Sequence, residues 1–229
     1  MAADRTRVLP TGDAAAAAAA AEIAGRARAA VAERGAFTLA VSGGRSPWRM
    51  LADLAELDMP WAATTIYQVD ERIGPADDPL RNLIGLRNSL PAGCPARLVP
   101  MPVESDDLAA ACATYAAALP RSLDLIHLGL GADGHMASLV PGDPVLAVAD
   151  ADVALTGVYQ ARRRMTLTYP AIARARAILW LVTGADKQAA LAQLLARDPA
   201  IPAGVVGNAD QVLFCDIAAA GRGIESAGD

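Results

Sequence analysis

Short apolar runs recur along the chain, and each breaks off into a polar, glycine- or charge-bearing corner. Phe37–Val41 (FTLAV) leads into Ser42-Gly43-Gly44, and residues 64–69 (TTIYQV) lead into Asp70-Glu71-Arg72. Residues 123–130 (LDLIHLGL) run into a glycine-rich corner that ends in Asp133-Gly134-His135, and Ala177–Val182 (AILWLV) into Thr183-Gly184-Ala185-Asp186-Lys187. A fifth run is 211–216 (QVLFCD). These stretches are apolar throughout rather than alternating, which predicts strands buried on both faces. Helical patterns separate them. One covers about 14–34, with Asp13 as its expected cap and Gly35 as its stop; others cover 106–118 and 186–196, and Pro47 suits the first turn of another. Strands alternating with helices predict an α/β fold: a Rossmann-like, mostly parallel sheet with helices on both faces. Residues 151–168 break the rhythm and predict a small extended excursion. No long linker or internal repeat divides residues 1–229, so a single domain is expected.

If the strands are parallel, all the polar corners share one edge of one sheet. Ligands of open α/β sheets bind beyond that carboxyl edge. Ser42-Gly43-Gly44 opens a helix, where backbone N–H groups and the helix dipole favour an anion; Arg45 follows directly. The pattern is neither a Walker loop nor G-x-G-x-x-G. Asp70-Glu71-Arg72 reads as a solvated strand end, because three consecutive charges do not all fit a core. In this setting Arg72 can grip an anion in bidentate fashion, with Asp70 or Glu71 holding sugar hydroxyls or orienting the arginine.

An imidazole titrates near neutrality, so His135 can take a proton from water and return it. Asp133, two residues earlier, is placed to fix its tautomer. His127, between Ile126 and Leu128, reads as a satisfied core histidine. On a strand through Arg162-Arg163-Arg164 at most two arginines share a face, and one of them is expected to meet a phosphate. Lys187 stands in the first turn of a helix, where the dipole disfavours a cation; a bound anion accounts for it.

Composition narrows the partners. Hydrophobic residues make up 54% of the chain, enough for a sizeable core, although much of that is alanine. The net charge is −5 and no Lys/Arg run exists, which argues against nucleic acid. Cys94, Cys112 and Cys215 are odd in number and widely spaced, which predicts reduced thiols, a cytoplasmic setting and no zinc site. Nothing resembles a signal peptide, and no run of about 18 strongly apolar residues suggests a membrane span.

Taken in order, these motifs resemble the 6-phosphogluconolactonase family. The resemblance rests on Ser42-Gly43-Gly44-Arg45-Ser46-Pro47, Asp70-Glu71-Arg72, the histidine loop Gly129 through Pro141, Arg164-Met165-Thr166-Leu167-Thr168, and Gly184-Ala185-Asp186-Lys187. It spans the whole chain. It departs from the family pattern at Met136 and Ser46, where threonine is commoner, and at Arg81, where serine usually precedes the asparagine. The resemblance implies hydrolysis of 6-phospho-D-glucono-1,5-lactone in the oxidative pentose phosphate pathway. It implies His135 and Asp133 as the catalytic pair, and Ser42, Gly43, Gly44, Arg45, Asp70, Arg72, Arg164 and Lys187 as binding residues. The expected partner is a small phosphosugar lactone, with no cofactor or metal, on a monomer or weak homodimer. Amino-sugar-phosphate deaminases share the implied fold, but their histidine loop carries a glutamate where this chain has Ser138-Leu139-Val140. A phosphosugar sensor without catalysis is the remaining alternative.

Overall fold

A computed structural model of the chain describes residues 5–207 and 210–221. Seven parallel strands form the main sheet in the order β1-β10-β9-β6-β2-β3-β5. They are β1 (Thr6–Leu9), β2 (Phe37–Val41), β3 (Thr64–Gln68), β5 (Arg97–Val99), β6 (Leu125–Leu128), β9 (Ala177–Val182) and β10 (Asp210–Asp216). The five apolar runs are β2, β3, β6, β9 and β10. The two strands that pattern alone did not predict, β1 and β5, lie at the edges. Each is short and carries an arginine, so neither shows a continuous apolar run.

From β2 the chain winds outward through β3 to β5. It then returns to place β6 on the other side of β2 and winds the opposite way through β9 to β10. The β2/β6 junction is therefore the topological switch point, where an open α/β sheet leaves a crevice beyond its strand ends.

Two apolar layers cover the sheet. One is built on α1 (Gly12–Arg34) and α2 (Arg45–Ala55), with Leu39, Leu179 and Phe214 beneath them. The other holds Ile126, Trp180 and Met165, packed near α4 (Leu108–Ala118) and α6 (Gln188–Ala196). The alanines of α1 buried at 15, 16, 19, 20, 24, 27 and 30 form one smooth helix face that can lie close on the sheet. The N-cap of α1 is Thr11, not Asp13: the Thr11 hydroxyl accepts from Ala14 N–H at 3.1 Å. Gly35 ends the helix at φ 77°, as expected. The helix expected over 186–196 begins with a 3-10 turn, Ala185–Lys187, before α6.

The strand expected over 64–69 stops one residue early, and Asp70-Glu71-Arg72 is not its solvated end. Val69 hands the chain to a second, antiparallel sheet made of β4 (Asp70–Arg72), β8 (Arg164–Leu167) and β7 (Val153–Leu155). This is the excursion expected near 151–168. Glu71 is fully buried, because its carboxylate accepts from Asn82 and Leu83 N–H at 2.7 and 2.8 Å and from Gln68 at 2.9 Å. It thereby caps α3 (Asn82–Asn88), whose own N-cap residue, Arg81, offers no side-chain acceptor. Arg81 takes the family serine's place by burying its guanidinium 3.2 Å from Glu71. No helix of the described residues is long and apolar enough to cross a membrane.

Candidate active site

Two loops flank the switch point: Ser42-Gly43-Gly44 after β2 and Gly129–His135 after β6. The first has little freedom. A Cβ on Gly43 would lie 2.0 Å from Asn82 Oδ1, and Gly44, at φ 131°, opens α2 in a conformation that glycine tolerates. Ser42 is buried. Its hydroxyl donates to the His127 carbonyl at 3.1 Å and its N–H faces His127 Nδ1 at 3.4 Å, so the hydroxyl expected to clamp an anion is committed to the fold. His127 is only half satisfied, since Nε2 finds no partner among the described residues.

The histidine loop closes on itself. Gly131 N–H donates to the His135 carbonyl at 2.8 Å. Gly134 turns at φ 81° against Ile201, where a Cβ would meet side-chain carbon at 2.4 Å. The loop places His135 Nδ1 2.5 Å from Asp133 Oδ1, which also accepts the His135 backbone N–H at 3.2 Å. Burial raises the Asp133 carboxyl, but the hydrogen bonds and charge of His135 outweigh it and hold the group below its usual range. An ionised Asp133 on Nδ1 leaves Nε2 as the ring's working nitrogen.

A cavity of about 190 Å³ opens beside this ring. His135, Ser42, Gly43 and Lys187 line it from the main-sheet loops, and Asp70, Arg72 and Arg164 line it from the small sheet. A neighbouring cavity of about 550 Å³ takes in Gly44 and Arg45 and shares Gly43, Gly129, Leu130 and Lys187 with the first. Of the residues the family resemblance implies, only Asp133 lines neither cavity, and it holds His135 from behind; Glu71, the alternative to Asp70 for holding sugar hydroxyls, lines neither and is committed to α3.

The three arginines separate cleanly. Arg162 pairs with Asp78, Arg163 donates to the Thr156 carbonyl at 3.2 Å, and Arg164 faces the cavity. Arg164 is buried. It donates to Gln160 Oε1 at 3.1 Å, lies 4.0 Å from Asp70, and keeps an Nε with no partner among the described residues. Burial lowers its pKa, with Asp70 opposing that shift. Asp70 is itself pushed up by burial, against the hydrogen bond from Ser138 at 2.5 Å and the charge of Arg164. Engaged with Ser138 and Asn82, Asp70 braces the wall rather than offering free oxygens. Lys187 Nζ sits 3.0 Å from Asp186, which is two-thirds exposed.

Three contributors were not picked from sequence. Asn82 donates to Asp70 from the cavity wall, and its Oδ1 has no partner among the described residues. Tyr159 touches Asp133, and Gln160 touches Arg164. Tyr159 and Gln160 lie on a hairpin whose two central positions, Gln160 and Ala161, carry no glycine to mark the turn, and Asn82 is placed by Glu71 and Asp70. Ser46, another departure, bonds Thr183 at 2.7 Å and ties the β2 loop to the β9 loop.

Residues 10–215 match the family of glucosamine-6-phosphate isomerases and 6-phosphogluconolactonase. A 6-phosphogluconolactonase of Synechocystis sp. is 36% identical over 185 residues, covering 74% of this chain and 75% of that protein. The crystal structure of a 6-phosphogluconolactonase from Shewanella baltica superposes with a TM-score of 0.84 at 26% identity, covering 92% of this chain and 97% of that one. A monomeric glucosamine-6-phosphate deaminase shares the fold, with a TM-score of 0.84 at 20% identity over 94% of this chain and 98% of its own. The sequence match starts just before α1 and stops one residue short of the end of β10, taking in every loop that meets at the switch point, and the chain belongs to the glucosamine-6-phosphate isomerase/6-phosphogluconolactonase family.

Proposed function

We propose that this protein hydrolyses 6-phospho-D-glucono-1,5-lactone to 6-phospho-D-gluconate, with His135 as general base and then general acid. The observation that carries the reading is the Asp133–His135 pair at one end of a cavity whose walls also hold Lys187, Arg164 and the Gly43 backbone. His135 Nε2 takes a proton from water as the water oxygen bonds to the lactone carbonyl carbon. A cavity cation stabilises the resulting oxyanion; in other enzymes one such donor is worth roughly 2.7–4 kcal/mol. Collapse breaks the bond to the ring oxygen, which takes the proton from His135. Asp133 holds the ring between the two transfers. Gly43, Gly44, Arg45, Lys187, Arg164 and Arg72 supply the donors and positive charge that a 6-phosphate needs.

The deaminase reading is weaker at one place. Where deaminases carry a glutamate on this loop, Ser138 bonds Asp70 while Leu139 and Val140 are buried, so among the described residues Asp133 is the only carboxylate bonded to His135. A sensor would have no use for a histidine held by an ionised carboxylate.

The deciding assay offers purified protein the lactone, glucosamine 6-phosphate, and 6-phosphogluconate as a non-turnover ligand. Acid release from the lactone, with no ammonia from the amino sugar, is the expected result. Ammonia release would replace the reading with a deaminase, and a ligand-induced rise in Tm without any turnover would replace it with a sensor. Lys187→Ala is expected to raise KM for the lactone about ten- to a hundredfold, the worth of one charged hydrogen bond, and to leave kcat within a few-fold. An unchanged KM would remove Lys187 from the phosphate.

The partner is then a small phosphosugar rather than nucleic acid, in keeping with a net charge of −5. We keep a monomer or weak homodimer as the expected state. Three free cysteines fit a cytoplasmic setting.

A further inference from the structure

The turn between β7 and β8 is a tight hairpin. Tyr159 N–H donates to the Arg162 carbonyl at 2.9 Å, and Arg162 N–H returns the bond at 3.2 Å. Both residues between them, Gln160 and Ala161, are left-handed, at φ 50° and 62°. That is the pattern of a two-residue primed turn, which usually takes glycine or asparagine. Neither residue here has that freedom, so the conformation costs energy that the surrounding contacts must offset.

Arg162 holds one end of the turn through Asp78, and the contacts of Tyr159 and Gln160 lead to the site. The Tyr159 hydroxyl donates to Asp133 Oδ2 at 3.2 Å, the oxygen that His135 does not use. The Tyr159 ring meets the His135 ring edge-to-face, 5.4 Å between centroids at 63°. The Arg164 guanidinium lies over the Tyr159 ring at 5.2 Å and is also held by Gln160. One side chain thus touches the base, the carboxylate behind the base, and the arginine of the cavity wall.

We propose that Tyr159 is a positioning residue: it fixes the rotation of Asp133, and through Asp133 the aim of His135, while its ring seats Arg164. This inference rests on the lactonase reading. With only His135 on it, the Asp133 carboxylate can turn about its last bond and carry the imidazole with it; a second donor on Oδ2 removes that freedom. Burial, and then Asp133, push the Tyr159 phenol up, so it stays a donor at neutral pH. The ring gives Arg164 a π face as a partner besides Asp70 and Gln160.

The two halves of the proposal separate in kinetics. Tyr159→Phe keeps the ring and loses the hydroxyl, so kcat is expected to fall about three- to tenfold with KM within twofold. Tyr159→Leu also loses the π face, and KM is expected to rise threefold or more. A double-mutant cycle tests the route through Asp133: in an Asp133→Asn background, Tyr159→Phe is expected to lower kcat by less than twofold. A Tyr159→Phe variant with wild-type kcat would overturn the proposal, as would a full additional loss in the Asp133→Asn background. A wild-type protein with no lactone hydrolysis would instead overturn the functional reading and take this inference with it.

Discussion

His135→Gln is expected to lower kcat for lactone hydrolysis by about 10²–10⁴-fold, the usual worth of a general acid–base group. Glutamine keeps a polar side chain in the loop but cannot accept a proton from water or return one to the ring oxygen. The substitution should not disturb the fold. The imidazole is partly exposed and lies against Asp133, the Tyr159 ring and Gly131, whereas the loop closes through the His135 backbone. KM should stay within about threefold, because Lys187, Arg164 and the Gly43 turn reach the cavity from other segments. Steady-state kinetics with a thermal-melt control check this. An unchanged kcat in a folded variant would take His135 out of the chemistry, and a loss confined to KM would make it a binding group.

The same loop shows why part of the site could be read from sequence. His135, Gly43 and Lys187 each lie on the segment that leaves a buried strand, and an uninterrupted apolar run announces such a strand and its direction. Once the strands are parallel, their trailing loops must converge. The small sheet gives no such signal. Asp70, Glu71 and Arg72 look like a solvated strand end, yet Glu71 is fully buried because backbone N–H groups of α3, 11 and 12 residues away, satisfy its carboxylate. Local charge cannot foresee a partner that only the tertiary fold supplies. Tyr159 and Gln160 are hidden for the opposite reason: their turn lacks the glycine that marks such turns. The choice among Arg162, Arg163 and Arg164 also depended on partners elsewhere, with Asp78 and the Thr156 carbonyl taking the first two.

His127 should make the protein lose stability as pH falls. It is fully buried on β6, and its Nδ1 faces the Ser42 N–H, so the ring is neutral with its proton on Nε2. Burial pushes its pKa down to about 3. In the unfolded chain the same ring titrates near the ordinary value of about 6.5. Below that pH the unfolded state binds a proton that the folded state refuses, so stability present above about 6.5 is lost as pH falls toward 3. At pH 5 the loss is about 2 kcal/mol, from roughly 1.4 kcal/mol per unit of difference. Asp70 acts in the other direction, because burial raises its pKa and its protonation favours the folded state as pH falls. The comparison must therefore be made against a variant. Urea unfolding of wild type and His127→Gln at pH 7 and pH 5 should show wild type losing about 2 kcal/mol more than the variant; equal losses would mean that the ring is protonated in the folded protein. The consequence reaches the site, because a second proton would turn Nδ1 from acceptor to donor against the Ser42 N–H. The turn that carries Gly43 and Gly44 would then keep the Ser42 hydroxyl bond to the His127 carbonyl but lose the bond from its N–H to the ring, one of its two ties to β6.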